Sequence, residues 1–250
     1  MARPSKPISP VSIRGSRAKG KPVKAAAKTP RKIQSSSLSE NEIREVFRRF
    51  HAENPEPKGE LEHINPFTLL VAVVLSAPAT DAGVNKATRA LFKVADNPKK
   101  MLALGEGKLR EYVKTIGLYR AKAKNVIGLS QRLVDDFHGR VPHDRDALES
   151  LPGVGRKTTN VVMNVAFGEP TMAVDTHVFR VANRIGLSRG TTPLAVEEDL
   201  LRVVPKKYAI HAHHWLILHG RYVCKARRPE CWRCIVKDIC RFPDKTPPPE

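Results

Sequence analysis

The 250-residue chain has no cysteine before position 224. Disulfide-stapled secreted domains spread cysteines through a short chain, so that class is excluded. No apolar run reaches the roughly 20 residues that a membrane-spanning helix needs. Nothing near the start resembles the apolar core of a secretory signal. Strand signals are scarce, with no sustained apolar–polar alternation and no Asn-Gly hairpin. Acidic residues are missing from residues 1–37, a stretch that holds ten Lys or Arg.

What is present points to a polyanion. The formal net charge is +19, from 44 basic and 25 acidic residues. Lys and Arg side chains that displace condensed counterions from a phosphate backbone gain affinity for it. Charge alone does not separate DNA from RNA or an anionic membrane. Residues 1–37 supply +10 of the total and leave +9 on the remainder. Five prolines and a closing Ser35-Ser36-Ser37 make this segment a disordered basic tail, unable to bury enough apolar surface to offset its ordering entropy. A DNA-tethering arm and a solvated tail without a role both fit it. So does an organelle transit peptide, although the prolines argue against the amphipathic helix such a peptide forms. If the tail tethers DNA, deleting residues 1–37 flattens the plot of log affinity against log salt concentration. Each lost phosphate contact changes the slope by about 0.9. An unchanged slope in a binding titration across several salt concentrations would show that the tail leaves DNA untouched.

The fold is expected to begin at Ser39. Ser39 and Glu42 have capping-box spacing, and Ile43, Val46, Phe47 and Phe50 then recur at helical intervals. Asn65-Pro66 opens a second helix, whose residues 67–75 are almost all apolar and therefore buried on every side. Further helices are expected from about Asp81, Pro98, Lys108 and Tyr119, with Gly117 and Gly139 as stops. The chain reads as all-α with short loops and is long enough for one large domain or two small ones.

Residues 151–158 read Leu-Pro-Gly-Val-Gly-Arg-Lys-Thr between two helical patterns. Two glycines permit a tight turn and close approach to a ligand. The unpaired N–H groups of the following helix start suit a phosphate. This is a helix–hairpin–helix pattern, with Pro152, Gly153, Val154, Gly155 and Arg156 as candidate DNA contacts. Lys157 lies in the first turn of the second helix, where it is either a phosphate-contacting or solvated cation, or a nucleophile. A nucleophilic amine must be neutral part of the time, which desolvation, neighbouring cations and a helix N-terminus favour. Eighteen residues later comes Ala-Val-Asp-Thr-His (173–177). Asp175 is a natural helix cap, and the order hairpin, lysine, aspartate adds a chemical reading.

The four cysteines, Cys224, Cys231, Cys234 and Cys240, are spaced Cys-x6-Cys-x2-Cys-x5-Cys. Four thiolates suit either a [4Fe–4S] cluster or structural zinc. Zinc ribbons usually use two Cys-x2-Cys knuckles, and here only Cys231 and Cys234 form one.

These motifs, with Leu-Leu-Val-Ala-Val-Val-Leu-Ser-Ala (69–77), Val-Asn-Lys-Ala-Thr (84–88), Thr-Ile-Gly-Leu-Tyr (115–119) and His-His-Trp-Leu-Ile-Leu-His-Gly-Arg-Tyr (213–222), resemble the endonuclease III family of helix–hairpin–helix DNA glycosylases. The resemblance covers about residues 38–243. It implies two helical domains with the hairpin between them: a six-helix domain (59–169) inserted into an iron–sulfur domain built from 38–58 plus 170–243. Residues 244–250 would form a C-terminal tail.

The implied activity is that of a bifunctional DNA glycosylase and abasic-site lyase acting on oxidised pyrimidines in duplex DNA. Lys157 and Asp175 fall on the family's catalytic positions, and the four cysteines on its [4Fe–4S] ligands. Ser76, Asp81 and His177 are expected around the catalytic pair. Leu118 matches a position that wedges into the opened duplex, and is otherwise a core leucine. Lys225, Arg227 and Arg228, pinned between the first two cysteines, would face phosphates. The expected partner is double-stranded DNA carrying damaged pyrimidines or abasic sites. A monomer in the cytoplasm, on the bacterial nucleoid, is expected, with organelle targeting by the tail as the alternative. Pro78 stands where the family typically has a glutamine that enters the gap left by the flipped nucleotide. Proline there either fills that gap without reading a base or simply ends the buried helix.

Two rival functions fit parts of this pattern. One is an adenine glycosylase of the same superfamily, which lacks the lysine and has a further C-terminal domain. The other is a non-catalytic DNA-binding or redox protein on the same scaffold. The presence of Lys157 disfavours the first, and Lys157 with Asp175 disfavours the second.

Overall fold

A computed structural model describes residues 37–249. The tail expectation for residues 1–37 therefore lies, Ser37 apart, outside the described residues. Those residues form ten α-helices and no strand: α1 Glu40–Glu53, α2 Pro66–Leu75, α3 Asp81–Val94, α4 Pro98–Val113, α5 Tyr119–Phe137, α6 Arg145–Glu149, α7 Arg156–Phe167, α8 Thr176–Ile185, α9 Pro193–Val203 and α10 Ala209–Tyr222.

Local chemistry fixes most of the boundaries. Ser39 closes a reciprocal capping box with Glu42 at the start of α1, and Asn65 does the same with Thr68 at the start of α2. Proline occupies the first turn of α2, α4 and α9, where its missing N–H costs nothing. All of Phe67–Leu75 is buried, so α2 runs through the interior. The helix starts expected at Pro98 and Lys108 belong to one element, α4, bent where Gly105 takes φ 77°. Gly139, in the left-handed region behind His138, follows the end of α5, whereas Gly117 lies in the turn after α4.

Two apolar cores organise these helices. One gathers buried residues from α2 to α7, among them Leu70, Leu91, Met101, Leu109, Leu129, Leu148 and Val162. The other draws on both ends of the described chain. Ile43, Val46, Phe47 and Phe50 of α1 pack with Val178, Val181 and Ile185 of α8, Leu200 of α9, Leu216 of α10, and Val236 and Ile239 of the cysteine loop. Each fully buried large aliphatic or aromatic side chain contributes roughly 1.5–3 kcal/mol. Gly220 lets α10 sit against α8, since a Cβ there would lie 2.8 Å from that of His177.

Candidate active site and cysteine loop

The hairpin between α6 and α7 is closed by Val154 N–H donating to the Leu151 carbonyl at 3.1 Å. Gly153 is required twice over: its φ is 76°, and a Cβ would come within 2.8 Å of the Asn125 side chain. Gly155 caps α7 without any side-chain hydrogen bond, and the space where its Cβ would lie is open. The first N–H groups of α7 thus lack a capping acceptor and suit an anion. Pro152 packs against Gly128 of α5. Arg156 is engaged elsewhere, since its guanidinium forks onto the buried carboxylate of Glu197 in α9 with two 2.9 Å bonds.

Lys157 and Asp175 line one cavity of about 100 Å³, together with Ser76, Asp81, His213 and Arg221. A second, more open depression shares Ser76, Asp81, Lys157, Asp175 and Arg221 and adds Thr176 and His177. The structure therefore gathers five residues singled out from the sequence: Ser76 just after α2, Asp81 of α3, Lys157 of α7, Asp175 just before α8 and His177 of α8. Asp175 caps α8: its Oδ1 accepts from the N–H groups of His177 at 2.8 Å and Val178 at 2.9 Å. Capping engages one carboxylate oxygen and leaves the second for other work. Ser76 donates to the Val73 carbonyl, and the His177 ring pairs with Arg180 at 3.2 Å.

Sequence reasoning missed the polar floor of this cavity. Arg221 of α10 pairs with Asp81 at 2.6 Å and also with Glu60, which accepts from the Tyr222 hydroxyl as well. His213 lies buried behind the lysine and aspartate, and its Nδ1 has no hydrogen-bond partner. Burial, with the His214 ring beside it, pushes His213 down to about 3; Lys157 adds to that shift and Asp175 opposes it. Burial likewise pushes His214 down to about 4. Both rings are thus neutral when folded, and the unfolded chain takes up their protons first. Stability is complete above the unfolded value of about 6.5 and falls as pH drops from there toward 4, by about 1.4 kcal/mol per pH unit for each ring. Urea titrations at pH 7.5 and 5 should therefore differ by several kcal/mol, and equal values would contradict the buried neutral rings.

Leu118 and Pro78 lie beside each other at the surface. Leu118 is 67% exposed and holds φ at 60°, a conformation L residues other than Asn and Asp rarely adopt. Pro78 is also exposed, and a Cβ placed on Gly117 would lie 3.7 Å from the Pro78 carbonyl oxygen. The alternative of Leu118 as a core leucine is ruled out by that exposure.

None of the four cysteines forms a disulfide, and all four line one cavity with Ile185, His219 and Val223. Four cysteines around one cavity supply the four thiolates that a [4Fe–4S] cluster needs. Burial pushes the Cys234 thiol up to about 11 and raises Cys240 as well, so metal binding here would displace thiol protons. Arginines of α8 hold the loop: Arg180 donates to the Cys224 carbonyl at 3.0 Å, and Arg184 to those of Lys225 at 2.7 Å and Ala226 at 2.9 Å. Lys225 pairs with Glu230 at 2.5 Å. Arg227 and Arg228 are exposed and form no ion pair with the described residues.

A helical scaffold with a phosphate-ready hairpin, a lysine–aspartate cavity and a four-thiol loop defines a class of DNA-repair protein. Residues 71–206 match the HhH-GPD superfamily of base excision DNA repair proteins, and residues 224–240 match the iron–sulfur binding domain of endonuclease III. Endonuclease III of Treponema pallidum (strain Nichols) is 59% identical over 203 residues, covering 81% of this chain and 96% of that protein. That of Escherichia coli (strain K12) is 54% identical over 201 residues, covering 80% and 95%. A solved endonuclease III–DNA complex, a trapped covalent intermediate with an estranged adenine, superposes with a TM-score of 0.76 at 46% identity, covering 82% of this chain and 96% of that one. The chain belongs to the endonuclease III family. It is a base excision repair enzyme, a DNA glycosylase and abasic-site lyase that carries an iron–sulfur binding domain.

Proposed function

We propose that the chain removes oxidised pyrimidines from duplex DNA through a Schiff base on Lys157. The observation that carries this reading is the convergence of Lys157, Asp175, Ser76 and Asp81 on one cavity beside the hairpin. A base must leave the stack before any group reaches its glycosidic bond. Lys157 Nζ attacks C1′ of the sugar and the base departs, taking the bonding pair and a proton. Asp175 accepts a proton from the amine or stabilises positive charge on the sugar. The resulting iminium acidifies the C2′ proton, and its loss expels the 3′ phosphate by β-elimination. Ser76, Asp81 and His177 border this centre. The hairpin N–H groups and the unpaired Arg227 and Arg228 contact phosphates, while Arg156 serves mainly to hold α9 and Lys225 to hold its own loop. Borohydride added to wild-type protein on an abasic duplex should give a covalent adduct that survives denaturing electrophoresis, and absence of that adduct would refute the mechanism.

The thiol loop would hold a [4Fe–4S] cluster as a structural element that fixes Arg227 and Arg228. The two cores support the division into domains at 59–169 and at 38–58 plus 170–243. Its bacterial relatives support a cytoplasmic enzyme of the nucleoid, and the monomer suffices because the cavity is complete within one chain.

Leu118 and Pro78 would occupy the duplex gap together. Proline has neither donor nor acceptor in its side chain, so it fills space without reading the opposite base. Wild-type enzyme should then discriminate weakly among the four bases opposite one oxidised pyrimidine, and Pro78→Gln should widen that spread. Single-turnover cleavage on the four duplexes measures this, and identical profiles for wild type and variant would remove Pro78 from the gap.

A further inference from the structure

Among the described residues Lys122 is the only buried lysine, with 4% of its surface exposed. It sits on α5, one turn beyond Leu118. Its Nζ donates to the carbonyl of Leu75, the last residue of α2, at 2.8 Å, and no carboxylate accompanies it. A buried charge is costly unless compensated. The compensation here is the carbonyl end of α2, the negative pole of that helix. Burial also lowers the pKa of the ammonium. Two carbonyls of the last turn of α2, those of Ala72 and Val73, are engaged by Ser76. The Leu75 carbonyl is engaged by Lys122. The other inward positions of α5 are apolar, Ala123, Val126, Leu129 and Leu133, except Ser130, whose hydroxyl donates within its own helix to the Val126 carbonyl, so packing alone does not call for a lysine.

The geometry has a consequence for the surface above it. Leu75 leads directly into Ser76-Ala77-Pro78, and α5 begins directly after Leu118. The two exposed segments approach each other at their tips, where a Cβ on Gly117 would lie 3.7 Å from the Pro78 carbonyl oxygen. The Lys122–Leu75 bond joins them at their base. We propose that Lys122 is a positioning residue that locks the Pro78 and Leu118 segments into one rigid unit that enters the opened duplex. This rests on the assignment of those segments to the duplex gap made above. Lys122 touches no reacting atom. It governs how efficiently the damaged nucleotide is exposed, and the Schiff-base step follows once the sugar lies in the cavity.

The test compares wild type, Lys122→Met and Lys122→Arg in single-turnover cleavage of an abasic site in duplex and in single-stranded DNA. 2-Aminopurine opposite the duplex site reports unstacking. Lys122→Met should lower the duplex-to-single-strand rate ratio by at least about tenfold, as a small misplacement of a positioning element does. It should also lose most of the fluorescence rise, and Lys122→Arg should restore most of both. If Lys122→Met does not fold by circular dichroism, Lys122→Gln, which keeps a neutral donor, takes its place. An unchanged ratio and fluorescence overturn the proposal. Equal loss on both substrates also overturns it, because that marks a residue needed only for folding. Leu118→Ala separates the underlying reading. A silent Leu118→Ala removes the gap assignment and the proposal with it. If Leu118→Ala lowers the ratio while Lys122→Met does not, only the role of Lys122 falls.

Discussion

Lys157→Ala protein is expected to give no borohydride cross-link to an abasic duplex, while its affinity for that duplex falls only severalfold. The amine is the proposed nucleophile, and alanine offers nothing to form the iminium. Removing a covalent catalyst of this kind costs on the order of a thousandfold or more in rate, equivalent to roughly 4 kcal/mol of barrier. Binding is expected to survive because the hairpin's own contacts are backbone N–H groups, which the substitution leaves in place. The loss of one cation lowers the salt slope by about one contact at most. Asp175→Asn is the informative companion, because an asparagine oxygen still accepts from His177 and Val178 and so keeps the cap. A variant folded as well as wild type but slowed strongly would place the carboxylate in the chemistry. Robust cross-linking by Lys157→Ala would sink the nucleophile assignment outright.

Cys234→Ala is expected to purify colourless and much less stable, whereas wild-type protein should be yellow-brown with about four iron atoms per chain. Residues 224–240 contain one short 3₁₀ turn, Cys231–Arg233. Within them only Pro229, Val236 and Ile239 are buried. A segment with so small a core depends on its metal for order. Losing a structural metal belongs to the severe class of substitutions, about 4 kcal/mol or more. At about 2–4 °C per kcal/mol for a domain of this size, the melting temperature should drop by roughly 8–16 °C. Metal analysis and differential scanning calorimetry read the two effects together. Stoichiometric zinc in correctly folded, active wild-type protein would overturn the cluster, and an unchanged melting temperature in Cys234→Ala would overturn its structural role.

Local signals made the scaffold legible. The capping box at Ser39 and Glu42, the proline at position 66 and the apolar run 67–75 act within one or two helical turns, and each appears in the structure as read. The hairpin was equally plain, because a left-handed glycine and an uncapped helix start are written in adjacent residues. Pairings across long separations were hidden. Arg156 looked free to meet a phosphate, yet Glu197, 41 residues on, takes both arms of its guanidinium. Lys225 turns to Glu230 only five residues on, a pairing set by the fold of the cysteine loop and not by distance along the chain. The Arg221–Asp81 pair spans far more chain, and the string 213–222 offered only its likeness to the family as a hint. Lys122 carried no signal at all, since nothing in the sequence sets it apart from Arg120 and Lys124, the exposed cations on either side of it. The bend at Gly105 passed as a gap between two helices because glycine ends a helix as readily as it bends one.

The second core has a cost during synthesis. The apolar face of α1 is translated early, but its packing partners begin only at Met172 and continue to Ile239. About 120 residues separate Phe50 from Met172. At roughly 5–20 residues per second, the ribosome needs about 6–24 s to make them. For that interval Ile43, Val46, Phe47 and Phe50 have no native surface to cover them, while the helices of the other core emerge as one uninterrupted stretch and are free to pack. A nascent chain stalled before Met172 should therefore present a folded body with a sticky, unpaired helix at its front, the kind of surface a holdase chaperone binds.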